Sequence, residues 1–438
     1  MWCPQSGSSL PRLTLTPPGA SVLSLLSYAD VSEMGRQAVN NYPLQEIRDD
    51  YASLHHLTYL NTGTVGLMSE SVLARHLENL AAYERAGHVG EPDARAGYER
   101  ARTSFANLIN ADPDEIALNR NASDGVNYVL AGLDLPDSAG LLTTDQEHPA
   151  VLLPMTLASR QTNSDIHMLE IVDDDEAMLA QLRELLSTNR IHLAVISHVS
   201  CESGQRLPIA EICRICREHG VLTLVDGAQS VAQFPVDVRE IGCDFMTGNG
   251  HKWLCGPKGT GFVYIRRDRT NLLTPPYAGD GSVDPRFDRT KFLKDAIVNE
   301  WGFRADAQRF EFGTRNWHLY GAVEDAVDQL AGIGWTAIQQ HVAEISTELK
   351  SDLAERPGIS LHTPMSWERS CGIVSFSADG WDGVELSERL WQDHQIIQRR
   401  VQIPSGVRIS CAHYTSREDI QRFLSALDEL MQPVRRKP

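Results

Sequence analysis

Two residues 26 positions apart have types suited to joint chemistry: Asp226, which closes the apolar run Val221–Val225, and Lys252, in a glycine turn after Phe245 and Met246. In parallel α/β sheets a ligand sits beyond the carboxyl ends of the strands, so an aspartate leaving one strand and a lysine leaving the next converge on one pocket. Pyridoxal phosphate needs such a pair: a lysine to form a Schiff base with it, and a carboxylate to keep the pyridine nitrogen protonated as an electron sink. Taken singly, a turn lysine is a solvated residue and a strand-end aspartate is a helix cap. Gln229, His251 and the glycines around the turn favour the joint reading.

The stretch 221–262 resembles the class V aminotransferases, a fold-type I group that includes cysteine desulfurases, selenocysteine lyase, isopenicillin N epimerase and kynureninase. The resemblance is carried by Asp226-Gly227-Ala228-Gln229, by Asn249-Gly250-His251-Lys252, and by Gly256-Pro257-Lys258-Gly259 with Gly261-Phe262. It implies a pyridoxal 5'-phosphate enzyme with Lys252 as the catalytic lysine and with Asp226, Gln229, Asn249 and His251 among the cofactor-binding residues. No Gly-x4-Gly-Lys-Ser/Thr register fits around Lys252 or Lys258, and Thr260–Ile265 reads as a strand, so a nucleotide loop is excluded.

Further candidates flank this centre. Asn121-Ala122-Ser123-Asp124-Gly125 leads from a strand, Glu115–Asn119, into an apolar helix. A helix N-terminus with free N–H groups suits an anion, and Ser123 adds a hydroxyl; the plainer alternative is an N-cap by Ser123. The resemblance places the cofactor phosphate here, with Ser123 and Asp124 as its binding residues. It also places a ring on the open face of the cofactor at His148, which can move protons. In His198-Val199-Ser200-Cys201-Glu202-Ser203-Gly204 the family often has an asparagine where Cys201 stands, which leaves Gln229 to carry the contact with the ring hydroxyl. Glu311-Phe312-Gly313-Thr314-Arg315-Asn316 resembles a motif in which one subunit touches the phosphate of the other, so Thr314 implies a homodimer with shared sites. Arg408 matches the arginine for the substrate α-carboxylate, a role suited to a bidentate, permanently charged guanidinium. Asn61, in Tyr59-Leu60-Asn61-Thr62-Gly63, is a substrate-contact candidate or an ordinary turn residue, and Arg399 and Arg400 are secondary candidates.

The elements that must position these residues alternate. Strands at Gly140–Thr143, Ile166–Val172, His192–Ser197 and Val221–Val225 are separated by helical patterns near Ala150, Asp175–Ser187 and Ile209–His219, which predicts a mainly parallel sheet covered on both faces. Helical spacing also marks Ser69–Ala86 and Asp93–Asn110. The resemblance implies a large domain with a seven-stranded-type sheet and a smaller C-terminal α+β domain. We expect an irregular extension over 1–40, a cofactor domain over 41–316 and a small domain over 317–438. Thr270–Arg309 has little periodicity and reads as a long active-site loop that sets substrate choice.

With 438 residues and 42% hydrophobic content the chain suits a globular enzyme. A net charge of −18 repels nucleic acid and anionic membranes, and no run of eighteen apolar residues suggests a membrane span. The eight scattered cysteines suit reduced thiols in a cytoplasmic protein, and Cys213-Arg214-Ile215-Cys216 has no second pair to complete a metal site. A persulfide-forming desulfurase needs a mobile cysteine in the C-terminal lobe, and none lies between Trp391 and Ser410. The expected reaction is therefore β-elimination, a C–S lyase acting on a cysteine-derived amino acid. Epimerisation, with Lys252 and His148 on opposite faces, and transamination are the alternatives.

Overall fold

A computed structural model describes residues 42–295 and 302–432. The expected extension over 1–40 and the basic tail Arg435-Arg436-Lys437 lie outside these residues. After the short strand β1 (Thr58–Tyr59), seven strands build the main sheet: β2 (Ile116–Asn119), β3 (Gly140–Thr144), β4 (Ile166–Leu169), β5 (Ile191–Ser197), β6 (Leu222–Asp226), β7 (Phe245–Asn249) and β8 (Gly261–Ile265). Their order is β2-β8-β7-β6-β5-β3-β4, and β8 alone runs against the others. Every residue of β7 and of β8 is buried, because helices cover both faces and leave no polar side to the sheet.

The helices follow the predicted positions closely. Ser69 caps Glu70–Ala86 by accepting the Val72 N–H. His148 caps Pro149–Thr162, one residue earlier than the helix expected near Ala150. Asn121, not Ser123, caps Ala122–Gly132, so the hydroxyl of Ser123 is not spent on the cap. Within Thr270–Arg309 the described residues hold more order than expected: a short helix over Arg289–Asp295 and tight turns over Arg267–Leu272 and Ala307–Phe310.

A second, antiparallel sheet of order β12-β13-β10-β9 uses β9 (Ile359–Leu361), β10 (Ile373–Ala378), β12 (Arg399–Gln402) and β13 (Ser405–Ser410). Val374, Phe376, Val407 and Ile409 from this sheet share a core with Phe423 and Leu427 of the helix Arg417–Met431. The N-terminal segment is threaded into this half: β1 pairs in parallel with β11 (Ile396–Ile397), and Asn61 bridges to Ser410. The helix Trp317–Ile333 packs on Glu70–Ala86 and Glu91–Leu108. Just before it, Glu311 receives Arg102 through two contacts of 2.5 and 2.9 Å and the Leu118 N–H at 2.7 Å. Breaking such a buried pair leaves an uncompensated charge, which costs about 3–5 kcal/mol. No helix among the described residues is long and apolar enough to cross a membrane.

Candidate active site

The carboxyl ends of β6 and β7 open into one cavity. Asp226 ends β6 with Ser197 and Thr247 as its neighbours in register. Its buried carboxylate accepts the Ala228 N–H at 2.8 Å, and burial raises its pKa against the opposing pull of Lys252. Asn249 ends β7 and accepts the Ala122 N–H at 2.8 Å, which ties the helix start Ala122-Ser123 to the sheet. The chain then turns through Gly250 and His251 to Lys252. Gly66 clamps this turn from below by donating to the His251 carbonyl at 2.7 Å. A Cβ on Gly66 would stand 2.1 Å from the Lys252 carbonyl oxygen, so the approach requires glycine. Burial lowers the Lys252 amine to about 8 even though Asp226 pulls it upward.

The same cavity is lined by Ser123, His148, Asp226, Gln229, Asn249, His251, Lys252 and Arg408. His148 accepts the Ala150 N–H on Nδ1 at 3.0 Å, so its neutral ring carries its proton on Nε2. Burial, then the charges of Lys252, Arg399 and Arg408, lower its pKa to about 4. The Gln229 amide is oriented from both sides: Trp253 donates to Oε1 at 2.9 Å, and Nε2 donates to the Gly63 carbonyl at 2.8 Å. One N–H of that amide is left for a ligand.

The wall facing this floor comes from the second sheet. Arg408 is 2% exposed and donates to the Cys201 carbonyl at 2.8 Å and the Thr64 hydroxyl at 2.9 Å. Its Nε is buried without a partner, as is Nδ1 of His251. Burial lowers the Arg408 guanidinium to about 10, a charge that costs solvation to keep here.

Asp124, Thr314 and Asn61 do not line the cavity, nor does the secondary candidate Arg400. Asp124 pairs with Arg120 at 2.7 Å. Thr314 is exposed. Asn61 accepts the Thr64 N–H on its backbone carbonyl, and this turn presents Gly63 and Thr64 to the cavity instead. Thr64 was thus within reach of the Asn61 motif, one residue past its end at Gly63. Glu147 was passed over although it adjoins His148. It is buried, accepts the Ser197 N–H at 2.8 Å, the Ser197 hydroxyl and the Thr144 hydroxyl at 3.0 Å, and is raised to about 7 by burial. It fixes Ser197, the strand neighbour of Asp226.

Comparison with known proteins agrees with this geometry. The family described as aminotransferase class-V matches residues 67–423, and the chain belongs to that family. It is 31% identical over 383 residues to isopenicillin N epimerase of Streptomyces clavuligerus, covering 85% of this chain and 94% of that enzyme. It is 30% identical to a probable cysteine desulfurase of Xylella fastidiosa, covering 82% of this chain and 85% of the relative. Among solved structures, the complex between the cystine C-S lyase C-DES and its reaction product cysteine persulfide matches with a TM-score of 0.78 at 26% identity, over 86% of this chain and 98% of the other.

Proposed function

We propose that the cavity binds pyridoxal 5'-phosphate and that the chain is a lyase that breaks the C–S bond of a cysteine-derived amino acid by β-elimination. The observation that carries the reading is the convergence of a sheltered lysine amine, a buried carboxylate, a helix N-terminus and a buried arginine on one cavity. The residues present fit the cofactor. Lys252 offers an amine that ionises near 8, Asp226 a carboxylate for the ring nitrogen, and Ser123 at the helix start N–H and hydroxyl donors for the phosphate. Once bound, the cofactor supplies a sink for the electron pair left at Cα.

The protein supplies the rest. Arg408 takes the α-carboxylate, which orients Cα, and the Lys252 amine removes the Cα proton and passes it to the sulfur, which leaves as a thiol when the Cβ–S bond breaks. His148 lines the same cavity and would cover the open face of the bound cofactor. Its imidazole, held near 4 and with Nδ1 engaged by Ala150, is a poor acceptor for a second proton. That favours a single-base elimination over epimerisation, which needs acid–base groups on both faces. Capture of sulfur by a mobile cysteine is disfavoured as well. The seven described cysteines are free and buried, and Cys201, the one lining the cavity, is pushed to about 12 by burial. Thr314 is exposed, which leaves it open to the phosphate of a second copy in a homodimer.

The test is an absorbance spectrum of the purified protein and of Lys252→Ala, followed by pyruvate and chirality assays over S-substituted L-cysteines and ordinary L-amino acids. A band at roughly 410–430 nm that disappears in the variant, with pyruvate release, supports the lyase. Inversion at Cα without pyruvate would move the reading to an epimerase. No band after added cofactor would overturn it.

A further inference from the structure

The α-carboxylate of an amino acid accounts for one cation of the second-sheet wall and leaves another. β12 and β13 are antiparallel neighbours, and Arg399 stands directly opposite Arg408. Directly opposed residues share a face of the sheet, with Cβ atoms about 5 Å apart, and like charges so placed destabilise each other. Both side chains line the cavity, whereas Arg400 points to the other face by strand alternation.

Among the described residues no carboxylate pairs with either guanidinium. Arg408 is held by a carbonyl and a hydroxyl, and Arg399 reaches the same Thr64 hydroxyl at 3.5 Å. Arg102 pairs with Glu311, Arg239 with Glu115 and Arg369 with Asp173 and Asp175, whereas Arg206, Arg309 and Arg315 also have neutral partners but do not line this cavity; Arg399 and Arg408 are set apart by standing side by side in it. With 58 acidic residues available in the sequence, two adjacent guanidiniums with only neutral partners mark a place kept for anions. Their depths differ. Arg408 is buried at the back of the wall and Arg399 is exposed at the rim, so one planar carboxylate held bidentately by Arg408 leaves Arg399 to a group farther out. The charge of Arg399 is felt at Lys252 and His148, which places it in the field of the site.

We propose that the enzyme selects amino acids whose side chain ends in a second carboxylate, with Arg408 on the α-carboxylate and Arg399 on the distal one. This rests on the reading of the cavity as an amino-acid site. It assigns Arg399 as the residue that distinguishes an acidic side chain from a neutral one of the same shape.

The experiment compares S-carboxymethyl-L-cysteine with its amide isostere, S-carbamoylmethyl-L-cysteine, in the wild type, Arg399→Gln and Arg399→Lys. Because the two leaving thiols differ in intrinsic reactivity, the readout is the ratio of kcat/KM between the substrates and its change on substitution. Loss of one charge-assisted contact predicts that Arg399→Gln lowers the preference for the acid by about tenfold or more, chiefly through the KM of the acid, over and above any change common to both substrates. Arg399→Lys should restore part of the preference. Equal losses on both substrates, or no change on either, would overturn the proposal.

A second arm is independent of turnover: calorimetric titration of the protein as purified with glutarate and with butyrate. The wild type should bind the dicarboxylate about tenfold more tightly, and Arg399→Gln should bind both alike. Equal binding by the wild type would overturn the subsite. No turnover of either cysteine with the binding gap intact would instead count against the lyase reading alone and leave the subsite standing.

Discussion

The two walls of the cavity are built on opposite principles. On the floor, polar groups of the large sheet are answered from within the protein: Asp226 by Ala228, Asn249 by Ala122, and the His251 carbonyl by Gly66. On the facing wall, Arg408 and Arg399 have only neutral partners. The floor needs no charge from a substrate, and the wall is short of negative charge until one arrives. In this molecule the chemistry is preorganised and the selectivity is left for the ligand to complete.

The sharpest way to break this contrast is Lys252→Ala, which removes the floor residue proposed to react. Activity should fall by about 10²–10⁴-fold or more, with the visible band lost, as read by pyruvate release and absorbance. Arg408→Gln comes next: kcat/KM should fall by about 10–100-fold, mostly in KM, with the band retained. Arg408→Lys should rescue little, because an ammonium lacks the forked geometry. If Arg408→Gln abolished the band instead, the two walls would not be separable.

Gly66→Ala tests how rigid the floor is. The added methyl overlaps the Lys252 carbonyl, so we expect a loss of about 1–3 kcal/mol in denaturant unfolding and faster release of the cofactor. The mildest test is pH. In the proposed function the unprotonated Lys252 amine is the form that attacks the cofactor aldehyde, and burial holds its pKa at about 8. Uptake by cofactor-free protein should therefore rise about tenfold from pH 7 to 9 and then level off. A rise continuing towards the usual lysine range would mean that the amine is open to solvent.

Legibility in the sequence followed the same divide. The floor was readable because Asp226 and Lys252 sit on successive strands, within a window where strand ends and turns have local signatures. The sheet was readable because its strands are apolar runs buried on both faces. Asn121 displaced Ser123 as the helix cap because a side chain one residue before the first turn reaches the Asp124 N–H at 3.0 Å. Gly66 and the Arg399–Arg408 pairing were not readable, since their meaning comes from contacts across long stretches of chain. Asp124 looked like a phosphate ligand from its position, but Arg120, four residues earlier on the same turn, claims its carboxylate. Glu147 carried a usable signal, an acid between the strand Gly140–Thr144 and a helix start, that was read only for its neighbour His148.

The clasp of β1 against β11, with Thr64 beside Arg408 from 344 residues away, also dictates an order of events during synthesis. The strands of the floor leave the ribosome well before Ser405–Ser410, while the segment that carries Gly63 and Thr64 has waited from the start without a surface to pair with. The facing wall is thus the last side of the cavity to exist, and a chain released short of β13 would own a floor with no gatekeeper.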